Sequence, residues 1–250
     1  MPAQGDALHV ESRHAPVPNS KGAHIVTTTR SSSTSGATSG ATPDVTDTDD
    51  LTAPRAHRGW RVVDIVVTAV LGVAIGLIFW VWNGIGGVWF GAMDALTPGL
   101  GGLAVGIWLL GGVAGGLIIR KPGAAVLVEV IAAAVSAAIG NQWGITTLYS
   151  GLAQGLGAEL VLLVFLYRRF TLSVAMLAGV GAGAGAWLLE WVLGNRAKSF
   201  EFNAIYLGCL ALSGAVLAGV LGWLLTKALA GTGALDRFAS GREVSTGSQA

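Results

Sequence analysis

Three glutamates stand inside segments that are otherwise almost wholly apolar: Glu129 in "AAVLVEVIAA", Glu159 in "QGLGAELVLL" and Glu190 in "AWLLEWVL". A carboxylate at the centre of a bilayer costs about 2.5–3.5 kcal/mol on insertion scales, so such a group is by default a candidate for function. Its chemistry would be to accept hydrogen bonds from a ligand or to face a cation. Gln154 precedes Glu159 by five residues and adds an amide to the same segment. Gly151, Gly155 and Glu159 recur every four residues and form one stripe on a helix, along which another helix or a ligand can come close. Trp187, Glu190 and Trp191 share a face at i, i+3 and i+4, and an acid between two indoles suits a cation or a flat heterocycle. The competing readings are that the acids only pair helices together and that the tryptophans mark the lipid interface.

Catalytic chemistry finds no support. The chain has no Walker A, HExxH or GxSxG sequence and no nucleophile beside a base. "GVGAGAG" lies within an apolar run and precedes no Lys-Ser/Thr pair, which makes it a poor phosphate loop. His9, His14, His24 and His57 all precede the first apolar run, and Cys209 is alone. No enzyme, metal site or cofactor is expected.

The elements that must position these groups follow from composition. Of 250 residues, 52% are hydrophobic and only 12% charged, against the roughly 25% charge of soluble domains. With a mean hydropathy of +0.64 and apolar runs near the roughly 20 residues of a bilayer-crossing helix, the chain reads as an all-α, polytopic membrane protein. Residues 1–54, rich in Ser, Thr, Gly and Asp, read as a disordered polar tail without the apolar region of a secretory signal. Residues 55–231 then hold six spans, at about 61–82, 100–119, 124–139, 147–166, 172–193 and 204–229, and 232–250 form a second polar tail. Arg55, Arg58, Arg61, Arg120, Lys121, Arg168, Arg169, Lys227 and Arg237 fall on one side, and only Arg196 and Lys198 on the other. The positive-inside rule places both termini in the cytoplasm of a cell membrane. The outward connections, 83–99, 140–146 and 194–203, carry aromatic and amide residues suited to something arriving from outside. Gly72/Gly76, Gly179/Gly183, Gly181/Gly185 and Ala215/Gly219 are small-xxx-small pairs that favour close helix contact.

In the order "IRKPGAAVLVEVIAA", "GNQWG", "QGLGAEL" and "MLAGVGAG", residues 60–240 resemble the YkoE-type substrate-binding (S) components of energy-coupling factor (ECF) transporters, linked to thiamine or its hydroxymethylpyrimidine precursor. The resemblance implies a six-helix bundle without its own ATPase. Such a subunit captures a vitamin from outside and docks on a transmembrane T component carrying two ATP-binding-cassette subunits. It implies polar ligand contacts from Glu129, Asn141, Gln154 and Glu159, stacking walls from Trp108 and Trp143 with Trp89 or Trp187, and Glu190 toward a cationic ring. The connection 83–99 becomes a lid, and Ala69, Gly72 and Gly76 become the docking surface. No nucleic-acid partner is expected. A stand-alone secondary transporter or channel for a small solute, its glutamates relaying protons, stays open as the alternative, as does a structural membrane protein without a ligand.

Overall fold

The computed structural model describes residues 59–242; the tail assigned to 1–54, the four histidines, Arg55 and Arg58 lie outside them. The described residues carry six long helical rods and no strand: α1 (Val62–Leu96), α2 (Leu100–Ile119), α3 (Ala124–Ile139), α4 (Thr146–Val164), α5 (Leu172–Leu193) and α6 (Phe200–Gly231). Five are long and apolar enough to cross a membrane; α3, with 16 residues, is shorter.

The largest departure from expectation is α1. It does not stop near residue 82 but continues to Leu96, 35 residues in all and about 52 Å at 1.5 Å per residue. The presumed loop lid at 83–99 is therefore mostly helical. Each interior glycine weakens a helix by about 1 kcal/mol relative to alanine, so packing must offset four of them. The Trp82 indole donates to the Ala104 carbonyl at 3.0 Å, and the Phe90 ring covers Gly101 of α2. The arm ends at Thr97–Gly99, where Asp94 Oδ1 accepts from the Gly99 N–H at 2.7 Å and Gly99 turns the chain at φ +101°. α6 likewise starts earlier than expected, because the Ser199 hydroxyl caps it by accepting from the Phe202 N–H.

Two rods are irregularly wound. α2 is a 3₁₀ helix over Leu100–Leu109 and becomes α-helical from Leu110; α6 opens into a π-helix over Gly214–Val220. The two stretches abut. The Ser213 hydroxyl donates to the Gly102 carbonyl at 2.8 Å, and a Cβ on Gly106 would stand 2.7 Å from Leu217 Cβ.

α2 is the pillar of the bundle and is buried over its whole α-helical part. One core joins it to α5 and α6 through Leu109, Val113, Ala178 and Leu210; the other joins it to α1 and α3 through Ile75, Phe79, Ile118 and Val128. Gly72 and Gly76 belong to the second. A Cβ at Gly76 would lie 2.7 Å from Val135 Cβ and 2.8 Å from the Ala132 carbonyl, and one at Gly72 would meet Ile131. Both glycines are buried against α3 and thus withdrawn from any docking partner, while Ala69 faces outward. Overpacking a filled contact costs about 1–3 kcal/mol. Gly76→Val is expected to lower the thermal unfolding midpoint in detergent by several degrees, with Ala69→Val leaving it unchanged.

At one end of the bundle the basic residues are tied together. Lys121 donates to the fully buried Asp64 carboxylate and to the Gly59 carbonyl, and Arg61 brackets the same carboxylate through its backbone N–H (2.8 Å) and guanidinium (3.1 Å). Residues after α6 fold back beneath this end: Leu235 and Phe238 are buried, and Ser240 donates to the Ile118 carbonyl at 3.1 Å.

Candidate ligand-binding site

A cavity of about 420 Å³ lies between the helices, with Trp108, Glu129, Trp143, Gln154, Glu190 and Tyr206 among its walls. Its chemical centre is Glu129, which is 1% exposed. α2 begins its α-helical winding at Leu110, so Gly112 sits in a first turn whose N–H groups lack a partner four residues back. Glu129 Oε2 accepts the Gly112 N–H at 2.5 Å. The Gln154 amide, turned as its neighbours' acceptors require, donates to Glu129 Oε1 (3.1 Å) and to the Trp108 carbonyl (3.0 Å). Glycines make this approach possible: a Cβ on Gly111 would sit 2.7 Å from Glu129 Oε2, and one on Gly155 2.8 Å from Val126 Cα. Each carboxylate oxygen thus has one fixed donor and a lone pair to spare.

The aromatic wall is held by an amide. Asn83, on the extended arm of α1, accepts from the Trp108 indole N–H at 2.9 Å and donates to the Ser136 hydroxyl at 2.9 Å. Trp108 meets Trp143 edge to face at 5.4 Å between centroids. Asn83→Leu would leave the Trp108 N–H unpaired, and a buried unpaired donor costs about 1–3 kcal/mol. A ligand that stacks on Trp108 is expected to bind about tenfold more weakly in this variant, read by titration calorimetry.

At the far wall Glu190 accepts from Asn195 Nδ2 at 3.4 Å. The Tyr206 phenol lines the same cavity, is 1% exposed, and lies within reach of the Glu190 carboxylate without forming a well-aligned hydrogen bond among the described residues. A buried hydroxyl in so loose a contact is poorly satisfied, and a bound molecule with a suitable group would complete its bonding.

Four residues expected at the site lie outside the cavity lining. Glu159 is engaged elsewhere: its carboxylate accepts from the N–H groups of Gly123 (2.6 Å) and Ala125 (2.9 Å) and from the Tyr167 hydroxyl, capping α3 from the neighbouring helix. Burial and that carboxylate push the Tyr167 phenol upward, so it stays a donor. The Gly151–Gly155–Glu159 stripe accordingly faces α3. Asn141 shapes a turn, its Oδ1 accepting from the N–H groups of Trp143 (2.9 Å) and Gly144 (2.8 Å), and so aims Trp143 rather than lining the cavity. Trp187 donates to the Asn203 carbonyl and stacks on Trp191, so the two indoles pack on each other instead of flanking Glu190. Trp89 is half-exposed and edges onto Trp82.

Comparison with known proteins places this architecture. A solved structure described as an S-component of an ECF transporter superposes with a TM-score of 0.65 at 32% identity, covering 76% of this chain and 96% of that one. YkoE of Bacillus subtilis (strain 168), provisionally assigned as an HMP/thiamine permease protein, is 35% identical over 190 residues, 75% of this chain and 93% of that protein. The chain belongs to the YkoE family of ECF S components. Residues 63–185 also match the family described as the permease component of an ABC-type cobalt transport system. The YkoE-family member described here is therefore a multi-pass membrane protein of a transport system, and its relatives are transport subunits.

Within this S component, sequence reasoning missed Asn83, Ser136 and Tyr206. Ser136 lies seven residues after Glu129, two helical turns along the same face, and that spacing could have found it. Asn83 was hidden by the assumption that the helix ended there. Nothing in the sequence around Tyr206 points inward.

Proposed function

We propose that this S component captures thiamine or its hydroxymethylpyrimidine precursor from outside the cell. It delivers the ligand by docking on a T component with two ATPase subunits. The observation that carries this reading is the Glu129–Gln154 pair on the cavity wall. An aminopyrimidine presents an amino donor and a ring-nitrogen acceptor side by side. The Glu129 carboxylate and the carbonyl oxygen of Gln154, whose NH₂ is already given to Glu129 and Trp108, offer acceptors to the amino group. The Ser136 hydroxyl, which accepts from Asn83, has its proton to donate to a ring nitrogen. Buried paired groups reject analogues that lack a partner. Trp108 and Trp143 supply ring faces, and Glu190 with the Tyr206 hydroxyl receives the cationic or hydroxylated end of the ligand. First-row transition metals favour imidazole and thiolate donors. Carboxylates, amides, hydroxyls and indoles, which make up the polar lining here, suit an organic ring better. In this reading all six rods span the membrane, α3 as the shortest, and the basic end that holds Lys121 and Asp64 faces the cytoplasm together with both termini.

Titration of the purified chain with thiamine, hydroxymethylpyrimidine and riboflavin tests the assignment by tryptophan fluorescence. A pyrimidine ligand is expected to quench saturably, since Trp108 and Trp143 line the cavity, and riboflavin is not. If neither pyrimidine compound gives a saturable signal, the substrate assignment is wrong.

A further inference from the structure

The cavity around Glu129 is lined by two carboxylates, Glu129 and Glu190, and among the described residues by no lysine, arginine or histidine. At the far wall Glu190 takes the Asn195 amide, and the Tyr206 phenol beside it is also within electrostatic reach of Asp94, whose Oδ1 holds the Gly99 N–H. Two acids thus surround one hydroxyl. Lys198 acts on Glu190 from outside the lining: its ammonium is seated 3.9 Å from the Phe202 centroid. A helix start is the other common receptor for anions, and α4 begins on the cavity wall at Thr146 and Thr147. Its donors are already spent. The N–H groups of Trp143 and Gly144 go to Asn141 Oδ1, and those of Thr146 and Thr147 go to the Trp143 and Gly144 carbonyls. The two threonine hydroxyls donate to the Trp143 carbonyl and to Asn141 Oδ1. Gln142 and Ser150, which line the same wall, are neutral.

Both hydroxymethylpyrimidine and thiamine carry an alcohol, which in a phosphate monoester bears about −1.5 to −2 charges near neutral pH. Burying such a group without a cation or free N–H donors is costly, and a nearby carboxylate adds repulsion. Volume is no obstacle, since about 420 Å³ lies within the range of sites that take drug-sized ligands. On the aminopyrimidine reading of the site, which supplies the alcohol-bearing ligand, we infer that the cavity admits that ligand only unphosphorylated. Glu190 is the residue that sets this selectivity. The same carboxylate that suits a cationic ring thus repels a phosphorylated tail. A place in a reaction sequence follows, because a phosphate ester outside the cell has to be hydrolysed before capture. In that step the oxygen of water bonds to phosphorus and the ester P–O bond breaks. The alcohol oxygen takes one of the water's protons, and inorganic phosphate keeps the other.

Titration calorimetry of the full chain in detergent tests this with hydroxymethylpyrimidine and thiamine, each in three forms. These are the free alcohol, its phosphate monoester and its dimethyl phosphate triester, which has the bulk of the monoester without charge on the phosphate. The alcohol is expected to bind at least a hundredfold more tightly than the monoester, and the triester to stay within about tenfold of the alcohol. Glu190→Gln should narrow the alcohol-to-monoester ratio by at least tenfold, whatever it does to the affinity for the alcohol itself. Glu190→Ala gives the same comparison where the glutamine variant does not fold. Lys198→Gln should leave the ratio within about twofold; a further loss of monoester affinity there would mean that the phosphate reaches this ammonium and would overturn the inference. A triester rejected as strongly as the monoester would overturn it too, since bulk and not charge would then decide. An unchanged ratio in both Glu190 variants would overturn the role of Glu190. Equal binding of alcohol and monoester would overturn the selectivity alone, whereas no binding of either alcohol would overturn the aminopyrimidine reading on which it stands.

Discussion

Replacing Glu129 by Gln is expected to weaken pyrimidine binding by more than tenfold while leaving the bundle folded. The acceptor oxygen that the carboxylate can offer a ligand beyond its two protein donors sets the magnitude. In the native site one carboxylate oxygen takes the Gly112 N–H and the other takes the Gln154 amide. A Gln side chain has one acceptor and one donor group, so it can satisfy only one of them and turns its NH₂ against the other. That intraprotein loss lowers stability somewhat. Affinity falls because the ligand's amino group meets an NH₂ in place of a carboxylate oxygen. A hydrogen bond to a charged group is worth about 1.5–3 kcal/mol, where about 1.4 kcal/mol is already tenfold. Titration calorimetry of the Glu129→Gln protein, with its unfolding midpoint measured in parallel, separates a binding defect from a folding one. Glu159→Gln supplies the contrast: its carboxylate caps α3, so stability should fall and affinity should not. Unchanged affinity in Glu129→Gln would reduce Glu129 to a packing residue.

Asp64→Leu is expected to destabilise the protein by about 3 kcal/mol, because removing one partner of a buried ion pair strands the other. Asp64 has no exposed side-chain surface, and it receives Lys121, whose side chain is 13% exposed, and Arg61, which is 52% exposed. The loss falls at the low end of the range for buried pairs because both cations keep some solvent. Removing Lys121 as well should restore most of the stability, since replacing both members of a buried pair with apolar groups is often neutral. The measurement is the unfolding midpoint of Asp64→Leu against Asp64→Leu/Lys121→Met. If the double variant is less stable than the single one, the stranded-charge account fails.

How far the sequence could be read depended on the kind of signal. Rods with a continuous apolar run and a polar or basic stop were placed within a few residues; Arg120-Lys121-Pro122-Gly123 marks the α2–α3 corner at the expected place. The arm of α1 beyond Trp82 was not legible, because four glycines look like a loop until Trp82 and Phe90 are seen packed on α2. Among the glutamates, depth in an apolar run was visible but rotation about the helix axis was not. Glu129 and Glu190 turn to the cavity, whereas Glu159 turns to the first N–H groups of α3. The Gly72/Gly76 pair signalled close helix contact correctly, but a spacing pattern names no partner, and the partner is α3.

The 3₁₀ winding of α2 has a metric consequence. Ten residues at about 2.0 Å rise followed by ten at about 1.5 Å give a rod of about 35 Å, some 5 Å longer than uniform α-helix would allow. Three residues per turn also align Val105 and Trp108 on one straight line, and both line the cavity. Rewinding that stretch would retract one end of the pillar by about a helical turn and rotate Trp108 off the line. The over-wound half thus couples the axial length of the central rod to the position of the indole that its own ligand would stack on.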